Sequence, residues 1–123
     1  MPTRFQDLAA FTPSDVEAAI ARNDPAELPL VPLTVALVSE DPALAEAVCI
    51  RLAGHVDAAV RGNALVSLGH LARRFRRLDE ARVRPLLESG LQDADPVVRV
   101  MAKSACDEVH QFLHWTIAGH VYG

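Results

Sequence analysis

The sequence has few aromatic residues, few cysteines and no long apolar run. Only six of the 123 residues are aromatic, and two are cysteines. So few rings provide little surface on which nucleic-acid bases could stack. No apolar run approaches the roughly 18 residues of a membrane-spanning helix, and residues 1–7 lack the apolar region of a signal peptide. We therefore expect a cytoplasmic protein.

Catalytic signatures are also missing. There is no glycine-rich phosphate loop, no nucleophile elbow and no cysteine with a paired histidine in a known context. We expect no enzymatic activity and no cofactor. Cys49 and Cys106 each replace an apolar residue in a helical pattern, which predicts two buried, reduced thiols rather than a disulfide.

Charge is unevenly distributed along the chain. The net charge is −4, from 12 basic and 16 acidic residues. Residues 1–56 carry three basic and eight acidic side chains, whereas residues 57–123 carry nine and eight. An acidic first half repels phosphate backbones and attracts basic proteins. We therefore expect a protein partner rather than a nucleic acid.

What the sequence does contain is an internal repeat. Residues 41–78 align without a gap with residues 79–116, an offset of 38 residues. The identical pairs are Asp41/Asp79, Ala43/Ala81, Asp57/Asp95, Val60/Val98, Arg61/Arg99 and Ala64/Ala102. A period of roughly 35–50 residues is typical of stacked helical hairpins, in which no unit can bury its apolar face alone.

Helix-capping residues divide the chain into helices joined by short connections. Thr12, Asp41, Asp57 and Asp95 precede apolar helical patterns, and three of the four expected helices have a proline at or near the first position. No strand pattern is present. The expected helices span about 13–22, 32–38, 41–53, 57–75, 79–91 and 95–115, with a short turn near residue 24.

Two segments resemble the second helix of a HEAT repeat. They are Asp57-Ala58-Ala59-Val60-Arg61 and Asp95-Pro96-Val97-Val98-Arg99, each followed by small residues three to six positions later. The resemblance implies a single all-α domain, a right-handed α-solenoid of about three antiparallel hairpins. Residues 1–40 are then a degenerate N-terminal capping hairpin, 41–78 and 79–116 are repeats, and 117–123 form a C-terminal tail. It also implies a structural ladder of paired side chains between repeats, formed by Asp57, Arg61, Asp95 and Arg99.

A narrower set of segments resembles small bacterial HEAT-like proteins. The set comprises Arg61-Gly62-Asn63-Ala64, Gly69-His70-Leu71-Ala72-Arg73, Leu78-Asp79, Ala105-Cys106-Asp107-Glu108-Val109 and Phe112-Leu113-His114-Trp115. Many such proteins are similar to immunity proteins of polymorphic-toxin and contact-dependent-inhibition systems. The resemblance implies that the protein binds a cognate toxin domain and neutralises it by occluding its active site. A general scaffold or adaptor in a larger assembly is the alternative.

One side of the two long helices is the candidate binding surface. Gly62 and Gly69 are unfavourable in a helix, which indicates close approach either by the neighbouring helix or by a partner. We expect both glycines on an exposed side shared with polar residues of the last helix. The candidate partner-binding residues are Asn63, His70, Arg73, Arg77, Asp107, Glu108, Gln111 and Trp115.

Several of these residues have a second interpretation. The run from Arg73 to Arg77 lies at a helix C-terminus, where cations are favoured, so it need not contact an anionic partner. Arg73 or Arg77 could instead pair internally with Asp107 or Glu108. Trp115 could anchor a partner or close the end of the stack.

A metal site and nucleic-acid binding are less favoured. His110 and His114 have a spacing that can hold zinc, but third and fourth ligands are not evident, so we expect no metal.

Overall fold

Six helices make up the part of the chain that the structure describes. The structure is a computed structural model, and it describes residues 12–122. Within that range every regular element is helical and there is no strand, which confirms the all-α prediction. The helices are α1 (Pro13–Arg22), α2 (Leu30–Val38), α3 (Pro42–Leu52), α4 (Ala58–Phe75), α5 (Glu80–Gly90) and α6 (Pro96–Leu113).

The predicted capping residues begin the helices. Thr12 accepts a hydrogen bond from the amide of Asp15 and donates its own amide to the Asp15 carboxylate, which closes a capping box. Asp41, Asp57 and Asp95 each accept a backbone N–H from the first turn of α3, α4 and α6. These bonds satisfy amide groups that have no partner within the helix.

Helix α2 begins two residues earlier than expected. The Asp24 carboxylate accepts the Ala26 amide in the predicted turn, and α2 then starts at Leu30. Pro32 does not interrupt α2, because the amides of the first helical turn have no intrahelical acceptor to lose. Glu27 lies in this turn with only 3% of its surface exposed and receives two hydrogen bonds from Arg22, at 2.9 and 2.8 Å.

The second repeat has the same helix bounds as the first, shifted by 38 residues. Pro42–Leu52 corresponds to Glu80–Gly90, and Ala58–Phe75 corresponds to Pro96–Leu113. Both long helices also end on a left-handed residue at the matching position, Arg76 with φ 58° and His114 with φ 62°. Each paired segment therefore adopts the same local structure.

Helix α4 is the centre of the packing. It contacts α2, α3, α5 and α6. Its buried stripe joins those of the neighbouring helices in one core, and burial of this apolar area is the main stabilising term. The largest fully buried side chains are Leu28, Leu52, Leu68, Leu71, Leu87, Ile117, Val16, Val31, Val35, Val60, Val83 and Val98. Cys49 and Cys106 are buried and unpaired with each other, as predicted.

The chain after α6 folds back onto α5 and α6. Trp115 is 9% exposed and Ile117 is 1% exposed. The guanidinium of Arg84, on α5, donates to the Thr116 carbonyl and lies 5.9 Å from the Trp115 ring centroid. The tail thus covers one end of the last hairpin.

Candidate functional site

Gly62 and Gly69 lie between α4 and α6 and not on an open surface, so the expectation that both are exposed is wrong. Both are buried. A Cβ on Gly69 would lie 3.1 Å from the Ala105 Cα, and one on Gly62 would lie 3.3 Å from the Met101 Cγ. Of the two explanations for these glycines, close approach by the neighbouring helix or by a partner, the structure supports the first. Their absent side chains bring the backbones of α4 and α6 close together.

The close approach places polar side chains of α4 and α6 side by side. Arg73 donates to the Glu108 carboxylate at 3.2 Å, with 46% of the Arg73 side chain and 24% of the Glu108 side chain exposed. A second Arg73 nitrogen lies 3.2 Å from His70 Nδ1. Partial burial, and then the positive charge of Arg73, lower the pKa of His70. His70 therefore faces this ion pair as a neutral imidazole at neutral pH.

We call the solvent-facing surface around this ion pair the α4–α6 face. We assign to it the predicted residues of α4 and α6 around this ion pair, together with Arg77, which lies two residues beyond the end of α4. They are Asn63, His70, Arg73, Arg77, Glu108 and Gln111, all partly or fully exposed.

The α4–α6 face adjoins α2, which contributes no residue to the predicted binding set. The Asn63 side-chain amide donates to the Pro29 carbonyl at 2.7 Å, at the start of α2. Leu30 and Leu37 on α2 are 53% and 56% exposed although the opposite side of the helix is buried. Helix α2 is therefore apolar on two sides. The signal is that Thr34 is the one polar residue between positions 28 and 38, whereas an ordinary surface helix is polar on its outer side.

Two predicted partner-binding residues have other positions. Trp115 lies in the chain that folds back after α6, and its side chain is almost fully buried. Its assignment to the partner-binding set is therefore corrected. Asp107 points away from the α4–α6 face and lies 2.7 Å from His120 Nε2 in the same tail. The sequence spacing of Asp107 and Trp115 from Glu108 does not predict these positions, because the path of the chain after α6 depends on tertiary contacts.

The ladder between repeats uses a different carboxylate from the one expected. Arg61 makes a two-point contact with Asp93, at 3.0 and 2.9 Å, whereas Asp57 and Asp95 are occupied as helix caps. The predicted pairing of Asp57 or Asp95 with an arginine is therefore wrong. The Arg61 guanidinium lowers the pKa of Asp93. This ion pair joins the α3–α4 hairpin to the loop before α6.

The same connection recurs one unit earlier with different chemistry. Position 23 precedes 61 by 38 residues, and position 55 precedes 93 by the same interval. His55 Nε2 lies 2.9 Å from the Asn23 side-chain oxygen. His55 Nδ1 accepts the Asp57 amide at 2.9 Å, just as Asp93 accepts the Asp95 amide at 2.9 Å. A histidine–asparagine pair thus occupies the place of the Arg61–Asp93 ion pair.

Most of the basic run is used within the molecule. Arg74 donates to the carbonyls of Ala36 and Ser39 at the end of α2, at 2.8 and 2.9 Å. Arg76 ends α4 and lies 4.9 Å from the Phe112 ring centroid. Arg77 is exposed. The run therefore contributes mainly the outer parts of Arg73 and Arg77 to the α4–α6 face.

His110 and His120 both pack against the Tyr122 ring, with their ring centroids 4.4 and 4.6 Å from the tyrosine ring centroid. His110 Nδ1 lies 3.0 Å from the Trp115 carbonyl, and the exposed His114 ends α6. Within residues 12–122 there is no cluster of three or more histidine, cysteine or acidic side chains suited to a metal ion. Two surface hollows of about 460 and 290 Å³ lie near Asp41 and His55, and neither is lined by the α4–α6 face.

Comparison with protein families, with curated proteins and with solved structures finds no match to this chain. Of the described helices, none has the length and apolar character needed to cross a bilayer.

Proposed function

We propose that this protein is a non-enzymatic, cytoplasmic binding module that uses the α4–α6 face to bind another protein. The observation that carries the proposal is the half-exposed Arg73–Glu108 pair beside His70, at the junction of two closely packed helices. An exposed ion pair contributes only about 0–1 kcal/mol to stability. A partner can therefore separate the two charges at little cost and pair with each of them.

A HEAT-like solenoid is the arrangement we propose for the hairpins. It is supported by the equal helix bounds of the two repeats and by the matching connections at Asn23–His55 and Arg61–Asp93. In such a stack the second helices of successive hairpins line one continuous surface. Here these would be α2, α4 and α6, so that the apolar Leu30 and Leu37 adjoin the charged centre.

The partner we propose is a toxin domain, with the protein acting as its immunity protein. The support is the resemblance of the quoted segments to small bacterial HEAT-like immunity proteins. Occlusion of the toxin's active site by the mixed-charge face would be the mechanism. The proposal is tested by affinity capture from the native host, identification of the bound protein, and reconstitution of the purified pair.

Charge exchange locates the interface. In the Arg73→Glu/Glu108→Arg double variant the two side chains still attract each other, so the fold is retained while the pattern facing the partner is inverted. We expect binding to weaken by about 2–5 kcal/mol if this pair is central to the interface. The matched control is the Glu17→Arg/Arg51→Glu exchange, which inverts an exposed ion pair between α1 and α3. Equal dissociation constants for both exchanges would remove the α4–α6 face from the proposal.

A scaffold or adaptor in a larger assembly is the second candidate. The exposed leucines of α2 favour it, since apolar side chains at the surface mark protein contacts. A neighbouring gene for a secreted protein with a C-terminal toxin domain supports immunity, and a captured multi-subunit assembly supports the scaffold. Nucleic-acid binding is the third, less favoured candidate; affinity that falls steeply with salt would support it.

A further inference from the structure

Arg99 on α6 is the equivalent, in the second repeat, of Arg61, which binds the Asp93 carboxylate. Arg61 donates through one nitrogen to the carbonyls of His55 and Val56, at 3.2 and 2.8 Å. Its remaining nitrogens hold Asp93. The backbone contacts therefore fix the guanidinium so that its other edge faces the next unit. A guanidinium held in this way matches the two oxygens of a carboxylate.

Arg99 makes the same backbone contacts as Arg61 but has no carboxylate partner among the described residues. It donates through one nitrogen to the carbonyls of Asp93 and Ala94, at 2.6 and 3.2 Å, the same two positions relative to the arginine. Among residues 12–122, no carboxylate side chain forms an ion pair with it. No carboxylate of the described residues therefore occupies the edge of Arg99 that corresponds to the Asp93-binding edge of Arg61.

The surface beside Arg99 carries two exposed valines and a lysine, and Asp107, the exposed carboxylate a turn beyond the lysine, is paired with His120. Val97 and Val100 are 56% and 61% exposed, and Lys103 is exposed one turn after Arg99. The matching positions in α4 include Gly62 and Leu65, which are buried. Because Val100 stands where α4 has Gly62, another helix cannot approach α6 as closely as α6 approaches α4. A loop or an extended segment, which needs less backbone contact, fits this surface better.

We propose that Arg99, Val97, Val100 and Lys103 form a second interaction surface, which binds a loop or extended segment of a partner protein through an aspartate or glutamate. The carboxylate takes the place at Arg99 that Asp93 occupies at Arg61. Apolar side chains next to the acid cover the two valines, and Lys103 adds a second positive charge. This surface is separate from the α4–α6 face, so the two proposals can fail independently.

Selection of short random peptides displayed on phage against the purified full chain tests the proposal. We expect selected peptides to contain an acidic residue next to apolar ones and to lose about tenfold in affinity for Arg99→Gln. Val100→Asp should weaken binding comparably while leaving the loop contacts of Arg99 intact. The matched control is Arg82→Gln, which removes an exposed arginine from α5. The Arg73→Glu/Glu108→Arg exchange should leave peptide affinity unchanged.

Three results would overturn the proposal. One is a failure to select any binder, and another is a set of binders without acidic residues. The third is binding that is as strong in Arg99→Gln and Val100→Asp as in Arg82→Gln. Light scattering that reveals a dimer abolished by Val100→Asp would instead assign this surface to self-association.

Discussion

Replacing each of three buried glycines by alanine tests the close packing on which the α4–α6 face depends. The substitution adds one methyl group in each case, but its surroundings differ. At Gly62 the nearest atom is the Met101 Cγ at 3.3 Å, in a flexible side chain. At Gly69 the nearest atoms are the Ala105 Cα at 3.1 Å and the Glu108 Cβ at 3.2 Å. These last two atoms move only if α6 moves.

The expected free energies of unfolding follow from two opposing effects. Alanine is more favourable than glycine within a helix by about 1 kcal/mol. An extra methyl group in a well-packed interior costs about 1–3 kcal/mol. Gly62→Ala should therefore be neutral or stabilising by up to about 1 kcal/mol, since Met101 can turn aside. Gly69→Ala should be destabilising by about 1 kcal/mol, because the α6 backbone cannot yield as easily.

Gly90→Ala should lose the most stability of the three variants. A Cβ there would lie 2.6 Å from the Leu65 Cδ1 and 2.9 Å from the Ala102 Cβ. Leucine can change rotamer, but the Ala102 Cβ is fixed to the α6 backbone. We expect a loss of about 2 kcal/mol. Urea unfolding followed by circular dichroism gives all three values on one scale.

The order of the three variants is the decisive result. Gly62→Ala should be the most stable, Gly69→Ala intermediate and Gly90→Ala the least stable. Equal gains at Gly62 and Gly69 would mean that only helix propensity acts and that α4 and α6 are not in close contact. A large loss at Gly62 would show that Met101 is not free to move, and the reasoning about side-chain freedom would fail.

Asp93→Asn should lower the free energy of unfolding by about 2 kcal/mol at pH 7, because Arg61 loses its charged acceptor. Since the folded-state pKa of Asp93 is lowered, this difference from wild type should persist above about pH 4, the ordinary aspartate value, and vanish as pH falls further; a difference unchanged at pH 2 would contradict it. The lowered pKa of His70 means that the unfolded chain binds its proton more readily, so wild-type stability should fall as pH drops below about 6.5, and His70→Gln should reduce that slope in urea titrations. Burial raises the pKa of the Cys49 thiol, and that of Cys106 to about 12, so a thiol reagent at pH 8 should label both only at the rate of unfolding; rapid labelling of the native protein would refute their burial.

Features that depend on neighbouring residues in the chain were predictable. Helix starts at Thr12, Asp41, Asp57 and Asp95 lie where a side chain caps amides two or three residues away, which is a local interaction. The offset of 38 residues is also a property of the sequence, and the helix bounds repeat with it. The start of α2 differs from the prediction by two residues, because Pro32 suggests a helix boundary although the first helical turn tolerates proline.

Part of the candidate site could also be predicted. Helical spacing predicts a surface shared by His70, Arg73 and Glu108, and Arg73 contacts both of the other side chains. Asn63 contacts the Pro29 carbonyl at the start of α2 instead. Exposed leucines on α2 were missed, because apolar residues in a sequence do not reveal which of them a neighbouring helix will cover.

The sequence by itself determined which segments form helices, the capping residues at which four of them start and the equivalence of the two repeats, because capping and periodicity act over a few residues. Only the tertiary structure decided that Gly62 and Gly69 face α6, that Asp93 and not Asp95 binds Arg61, and that Trp115 is buried where the chain folds back after α6. Each of these depends on the position of one helix or loop relative to another. Such positions are set by the summed packing of side chains distant in the chain, which no local pattern records.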